Sequence, residues 1–287
     1  SRIRACDYKT NETLRNAEGR VVYLSCYIKL TDKNVKPLVA IAARVTMDFD
    51  NKVIVITGAS SGIGAAAALL YAKQSAKVVL VGRNEESLNK VAKQCEDTKG
   101  IKPLVIKAEL SLDDEVKNIV AQTIDTFGRI DVLVNNAGVG VRGSILEGVE
   151  LLDRAMATNL RAVYHLTSLA APHLIKTKGN IVNVSSVAAL RPIKDVDYLP
   201  YCVSKAALDQ FTKCVAVELG RHGVRVNSVN PGGTNTPFAE TAGFTKEQVS
   251  EFLTRMYVQV CTVWFPSVID RNKILQKCEY FRVSFCS

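Results

Sequence analysis

Tyr201 and Lys205 form a Tyr-x3-Lys pair, a spacing that suits proton transfer. Residues four apart lie on one face of a helix, so the phenol and the ammonium would project together. A free phenol has a pKa of about 10, too high for efficient proton exchange at neutral pH, and a nearby ammonium lowers it. Tyr198 lacks such a partner, because Cys202 stands four positions after it. Taken alone, a Tyr-x3-Lys string is also common on solvated helices, so its context decides its meaning.

A glycine-rich segment supplies part of that context. The sequence TGASSGIG runs from Thr57 to Gly64, after a short apolar run and before an alanine-rich helix that we predict to begin near Ile63. Glycines allow a tight turn and let the backbone approach a pyrophosphate, which then lies at the positive end of the helix. Between a first strand and a first helix, this segment favours dinucleotide binding over an ordinary loop.

Short β-branched runs alternate with longer helical patterns after Lys52. We predict strands at 53–57, 77–81, 103–107, 131–134, 180–185 and 224–229. Helical periodicity covers 85–95, 113–126, 151–175 and 202–221. The strands are nearly all apolar, as expected when both faces of a sheet are covered. The alternation predicts an α/β domain with a doubly wound parallel sheet, a Rossmann fold that binds ligands beyond the carboxyl ends of its strands.

Further motifs follow in chain order. They are Asn135 to Gly138 after the fourth strand, Asn159 in the next helix, Ser185-Ser186 after the fifth strand, Tyr201 with Lys205, and Pro231-Gly232 after the sixth strand, with Thr236. Together with the Gly-x3-Gly-x-Gly spacing, this series resembles the short-chain dehydrogenase/reductase family and is similar to its 3-oxoacyl-[acyl-carrier-protein] reductase-like members. The resemblance covers residues 47 to 243.

The resemblance implies a hydride-transferring oxidoreductase with a catalytic tetrad. Tyr201 would be the general acid in ketone reduction and the general base in alcohol oxidation, and Lys205 would also hold the nicotinamide ribose. Ser186 would hydrogen-bond the substrate oxygen and stabilise its developing charge, with Ser185 as the alternative. Asn159 would anchor a water that relays protons to Lys205. The substrate would be a small carbonyl compound or a secondary alcohol.

The resemblance also implies a set of cofactor contacts. Thr236 would contact the nicotinamide carboxamide, and residues 235–250 would form a mobile substrate loop, the alternative being a plain surface connection. The other residues that we expect at the cofactor are Gly58, Ser60, Ser61, Gly62, Ile63, Gly64, Leu110, Asn136, Ala137, Gly138, Pro231, Gly232 and Thr234.

The choice of dinucleotide depends on the residues after the second strand, where an acid selects the free ribose 2'-hydroxyl and an arginine suits a 2'-phosphate. This strand is followed by Arg83 and Asn84, with no carboxylate in the first position. Because Arg83 can pair with phosphate through its planar fork, we favour NADP(H) over NAD(H), although a solvated surface arginine is the alternative. Glu109 stands where the family usually has an aspartate that touches the adenine, and we expect it to make a similar contact.

Composition excludes several other classes. The net charge of +9 is concentrated in the end segments, with +5 in residues 1–46 and +3 in residues 252–287, which argues against a nucleic-acid-binding face. The eight cysteines and three histidines show no metal-ligand or redox spacing. The longest uncharged stretches fall well short of the roughly 20 residues of a membrane-spanning helix. We therefore expect no metal, no nucleic acid, no membrane and a cytoplasmic location.

The two ends differ from residues 47–251, which we expect to form the Rossmann domain. No methionine precedes Met47, no glycine follows Gly243, and no seventh strand is recognisable, which would leave a sheet edge exposed. These features favour the hypothesis that residues 1–46 and 252–287 are not native, and we expect a homo-oligomer only if the C-terminal segment is native-like. The alternatives to an active reductase are a catalytically inactive or truncated nucleotide-binding protein and a sugar-nucleotide epimerase or dehydratase. The latter shares Tyr-x3-Lys but usually has a different glycine spacing.

Overall fold

The computed structural model describes residues 49–193, 197–245 and 247, and the backbone of 14–15, 21–22 and 261–263. The chain divides into two units, Ser1–Asp48 and Phe49–Ser287. In the first unit, strand β1 (Leu14–Arg15) pairs antiparallel with β2 (Val21–Val22). The predictions made for residues 1–46 and 252–287 otherwise lie outside the described residues.

The second unit contains one sheet flanked by helices. Its described strands are β3 (Val53–Thr57), β4 (Lys77–Gly82), β5 (Leu104–Lys107), β6 (Val132–Asn135), β7 (Asn180–Val184), β8 (Arg225–Asn230) and β9 (Cys261–Val263). Its described helices are α1 (Gly62–Ala72), α2 (Glu85–Lys99), α3 (Asp113–Phe127), α4 (Glu150–Met156), α5 (Ala162–Thr177), α6 (Leu199–Gly220) and α7 (Phe238–Thr241).

The sheet order is β5-β4-β3-β6-β7-β8-β9, and the first six of these strands are parallel. The predicted doubly wound Rossmann architecture is therefore confirmed. The chain runs outward from β3 through β4 to β5 and then returns to β6 on the other side of β3. This reversal opens a crevice at the carboxyl ends of β3 and β6, where ligands bind in folds of this kind.

Both faces of the sheet are covered, as the apolar strands predict. Along β3 the side chains alternate, so Val53 and Val55 pack with α3 and α5 while Ile54 and Ile56 pack with α1 and α2. On the first face, Ile119 and Leu166 are fully buried between helix and sheet. The core thus fixes the strand ends from which the site residues project.

Two elements differ from the sequence prediction. The helix predicted over 151–175 is interrupted by a π-helical turn, Ala157–Arg161, between α4 and α5. The prediction of an exposed sheet edge is also wrong for β8. Strand β9 pairs antiparallel with β8, and Asn230 lies opposite Cys261. A three-residue strand without a flanking turn signal carries too little pattern to be recognised from sequence.

Candidate active site

The glycine-rich turn connects β3 to α1 in a geometry that requires glycine. Gly58 and Gly62 have φ angles of +65° and +54°, a region that L side chains rarely adopt. A Cβ on Gly64 would lie 2.6 Å from Asn136 Nδ2 and closer still to the Gly58 carbonyl oxygen. The turn is therefore compact and brings bare backbone to the N-terminus of α1, an arrangement that suits a pyrophosphate.

Asn136 fixes this turn from the neighbouring strand. Its side-chain amide donates to the carbonyl oxygens of Thr57 and Gly58 at 2.9 and 3.1 Å. In return, the Thr57 hydroxyl accepts from the backbone N–H groups of Asn136 and Ala137, each at 3.0 Å. The segment after β6 and the glycine turn consequently form one hydrogen-bonded unit at the point where the strand order reverses.

Tyr201 lies in the first turns of α6 with its ring almost completely buried. Burial raises the pKa of its phenol to about 12, and the hydrogen bond with the Ser186 side chain opposes that rise. Ser185 is turned away, because its hydroxyl donates to the Lys205 carbonyl at 3.3 Å. The geometry therefore favours Ser186 over Ser185 as the partner of the phenol.

Lys205 is buried one turn further along α6, and its ammonium donates to the Val184 carbonyl at 2.9 Å. Burial lowers the pKa of this lysine to about 8, while Asp209 raises it. The Tyr201 pKa is raised and not lowered, contrary to the prediction, because burial of the phenol is the largest influence on it. The two side chains do lie together as predicted, with Nζ 5.8 Å from the centre of the phenol ring.

Asn159 occupies the π-helical turn and is fully buried. Its amide accepts from the Val139 N–H at 2.8 Å and donates to the Val139 carbonyl and the Ser204 hydroxyl, both at 3.0 Å. A Cβ on Gly138 would lie 3.2 Å from Asn159 Oδ1 and 3.3 Å from Lys205 Nζ. Asn159 therefore positions the strand-end backbone beside Lys205.

The other end of the cleft holds Arg83 and Glu109, which form an ion pair with 3.3 Å between Nη1 and Oε2. Asn84 caps α2 by accepting from the Ser87 N–H at 2.9 Å. This part of the cleft thus combines a cation with a carboxylate, a pairing that residue spacing does not reveal.

These groups line one cleft with a volume of about 390 Å³, within the range of small-molecule and cofactor sites. All but two of the predicted site residues lie on its wall, the exceptions being Gly64 beneath the turn and Asn159 behind Gly138. The predicted cofactor residues on the wall are Gly58, Ser60, Ser61, Gly62, Ile63, Arg83, Asn84, Glu109, Leu110, Asn136, Ala137, Gly138, Tyr201, Lys205, Pro231, Gly232, Thr234 and Thr236. Part of the predicted substrate loop, residues 246 and 248–250, lies outside the described residues.

The cleft also contains aromatic residues that no sequence motif indicates. Tyr198 has no lysine partner in the sequence, yet its ring stacks on Tyr201 with 4.5 Å between ring centres. Phe238 and Phe244 contact these two tyrosines from α7 and the segment after it. No rule of residue spacing predicts these aromatic contacts. An isolated β-bridge between Gly143 and Tyr198 joins the segment after β6 to the start of α6.

In the part of the chain that the structure describes, no cluster of His, Cys, Asp or Glu side chains could hold a metal ion. Among the same residues, no helix combines the length and the apolar character needed to cross a membrane.

Comparison with known proteins identifies the family of this chain. A family model for short chain dehydrogenases matches residues 52–247, and the chain belongs to the short-chain dehydrogenase/reductase family. It is 38% identical to meso-2,3-butanediol dehydrogenase of Serratia marcescens over 211 residues, covering 73% of this chain and 81% of that protein.

The fold of this chain resembles solved structures of the same family. One is a short-chain dehydrogenase/reductase of unknown function from Caenorhabditis elegans with cofactor, at TM-score 0.68 and 36% identity, covering 73% of this chain and 80% of that one. Another is L-sorbose reductase from Gluconobacter frateurii complexed with NADPH and L-sorbose, at TM-score 0.66 and 31% identity, covering 73% and 82%. The chain is accordingly an oxidoreductase of a family that binds NAD(P)(H) and acts on small molecules.

Proposed function

We propose that this chain is an NADP(H)-dependent reductase or dehydrogenase that interconverts a carbonyl compound and a secondary alcohol, with Tyr201 as the proton-transfer residue. The observation that carries the proposal is the arrangement of Ser186, Tyr201 and Lys205 in the same cleft as the glycine turn. A substrate oxygen beside Ser186 would lie within reach of the phenol, and a nicotinamide ring bound next to it would complete the reacting set.

The residues of the cleft fit a nicotinamide dinucleotide. The turn at Gly58 and Gly62 would hold the pyrophosphate at the N-terminus of α1, and the absence of a Cβ at Gly64 keeps this turn compact, because such an atom would meet the Gly58 carbonyl oxygen. Lys205 would hold the nicotinamide ribose, and Arg83 would pair with a 2'-phosphate, which supports NADP(H) rather than NAD(H). When bound, the cofactor supplies or accepts the hydride, and the chain provides orientation and proton transfer.

The protonation states of the protein suit carbonyl reduction. With a pKa of about 12, the Tyr201 phenol keeps its proton at neutral pH and is ready to donate it to a substrate oxygen. Ser186 would donate a second hydrogen bond to that oxygen and stabilise the negative charge that develops there. Lys205, with a pKa of about 8, is mostly protonated at pH 7 and would stabilise the phenolate left after transfer.

We further propose a cytoplasmic location, no nucleic-acid or membrane partner and, if the C-terminal segment is native-like, a homo-oligomer. Apolar side chains on two neighbouring helices support an oligomer, because Tyr164 on α5 and Val217 on α6 are 62% and 54% exposed. Tyr164 also contacts the ring of Phe211 on α6, so the exposed groups belong to one helix pair. A monomer seen by analytical ultracentrifugation across micromolar concentrations would contradict this part of the proposal.

Paired serine variants test the proposed chemistry. Ser186→Ala removes the hydroxyl that contacts Tyr201, and we expect kcat for NADPH-dependent reduction of a ketone panel to fall about 100-fold or more. Ser185→Ala is the matched control, since that hydroxyl faces the Lys205 carbonyl, and kcat should stay within about tenfold of the wild type. Equal losses in the two variants would contradict the assignment of Ser186, and binding of NADPH without any turnover would support a nucleotide-binding protein instead.

A further inference from the structure

The adenosine end of the cleft carries two opposite charges in direct contact. Arg83 and Glu109 both line the cleft, and their side chains are 70% and 34% exposed. In doubly wound folds the residue after the second strand, here Arg83, selects between a 2'-phosphate and a free 2'-hydroxyl, and Glu109 reaches this residue from the end of the third strand. This chain presents both groups, so neither residue alone defines the preference.

The sheet brings the two residues together. Gly82 at the end of β4 pairs with Lys107 at the end of β5, and the Ala108 N–H donates to the Gly82 carbonyl at 2.9 Å. Arg83 therefore follows its strand by one residue and Glu109 follows the adjacent strand by two. This register places the ion pair at the strand ends, where cofactors bind.

Glu109 is held in position from the other side. Its Oε1 accepts from both the backbone N–H and the hydroxyl of Ser111, each at 3.2 Å, which leaves Oε2 directed at Arg83. The Glu109 N–H in turn donates to the carboxylate of Glu115. The carboxylate is consequently oriented before any ligand arrives, and its contact with Arg83 does not depend on a chance rotamer.

We infer that Glu109 is a specificity-determining residue that opposes Arg83, so that the pair gives this chain a weak preference for NADP(H) instead of a strict one. The inference rests on the proposed function, in which Arg83 meets the 2'-phosphate. A phosphate at Arg83 would also meet the adjacent carboxylate, and like charges at this distance repel. The same carboxylate can accept a hydrogen bond from a free ribose 2'-hydroxyl, which lessens the disadvantage of NAD(H).

The test compares two ligands that differ only in the 2'-phosphate, namely 2'-phospho-ADP-ribose and ADP-ribose. Their dissociation constants are measured by calorimetry on the full-length wild type and on three single variants, Glu109→Gln, Arg83→Gln and Glu86→Gln. Glu86 is the matched control, because it is an exposed glutamate paired with Lys90 at 2.7 Å on α2 and is not part of the cleft wall. Thermal unfolding of each variant confirms that it folds.

We expect Glu109→Gln to strengthen binding of 2'-phospho-ADP-ribose about fivefold, the range of an exposed ion pair, and to leave ADP-ribose unchanged or weaker. The gain should shrink as salt rises, because the pair is exposed. Arg83→Gln should remove the preference for the 2'-phosphate, and Glu86→Gln should change neither constant by more than about twofold.

The outcomes separate this inference from the proposed function. If Arg83→Gln removes the preference while Glu109→Gln alters both ligands equally or neither, the inference on Glu109 is overturned and the role of Arg83 stands. If Arg83→Gln leaves the affinity for the 2'-phosphate unchanged, the NADP(H) proposal fails and the inference fails with it. Lack of binding by either ligand in a folded wild-type sample overturns both.

Discussion

Gly64→Ala tests whether the turn between β3 and α1 is built for a ligand. Alanine stabilises a helix interior by about 1 kcal/mol relative to glycine, so helix propensity alone predicts a more stable protein. The structure predicts the opposite. An added Cβ would lie 2.6 Å from Asn136 Nδ2 and closer to the Gly58 carbonyl oxygen, whereas ordinary contacts begin at 3.4 Å.

The expected magnitude follows from this clash. Asn136 or the Gly58 peptide would have to move by about 1 Å, and overpacking of this kind costs about 1–3 kcal/mol. Offset by the gain in helix propensity, the free energy of unfolding should fall by about 0–2 kcal/mol. Binding should suffer much more, because a displacement of about 1 Å in a positioned site can cost roughly 100-fold.

The assay combines NADPH titration by fluorescence with urea unfolding of the same samples. Gly100→Ala is the control for backbone strain without a clash, since Gly100 has a φ of +71° and its Cβ would meet nothing within 4 Å. That variant should lose about 1 kcal/mol of stability and keep its affinity. If Gly64→Ala instead binds NADPH within about threefold of the wild type, the turn does not hold the pyrophosphate as we propose.

Two further predictions concern buried charges. Burial lowers the pKa of Lys205 to about 8 from 10.5, so the native state binds fewer protons than the unfolded state between those values and stability should rise with pH across that window. Lys205→Met should abolish this rise in urea unfolding from pH 7 to 10.5, and an unchanged slope would mean that the lysine is not desolvated as described. Asp131 is buried and accepts from the Val53 N–H at 3.0 Å and from Arg129 at 2.7 and 2.8 Å. Asp131→Ala should therefore cost about 2–4 kcal/mol of unfolding free energy, and a cost below about 1 kcal/mol would contradict a structural role for this carboxylate.

Local patterns were sufficient to predict the parallel sheet and most of the cleft wall. Strands β3 to β6 are nearly continuous apolar runs, and β7 and β8 mix apolar with polar residues. The glycine turn, the segment at Asn136 and the Tyr201–Lys205 spacing each follow a strand or lie on a helix. Because all parallel strands end at one edge, their motifs meet there without any knowledge of distances.

The contacts that the sequence did not predict depend on long-range packing. Residue spacing gives no indication that Tyr198 stacks on Tyr201 or that Arg83 pairs with Glu109, since these contacts depend on register and on loop paths. We predicted a lowered pKa for Tyr201 because the sequence shows the neighbouring lysine. The structure raises this pKa because the phenol is buried, which the sequence does not show. Strand β9 was missed because three residues carry almost no periodic signal.

The rate of NADPH oxidation by Tyr201→Phe, with a ketone that the wild type reduces, tests whether Tyr201 transfers the proton. The stacked neighbour provides the control variant Tyr198→Phe, which removes a hydroxyl from the same aromatic cluster. We predict that Tyr201→Phe binds NADPH with wild-type affinity but loses at least about 100-fold in kcat, whereas Tyr198→Phe stays within about tenfold. Wild-type turnover by Tyr201→Phe would show that Tyr201 is not the proton-transfer residue.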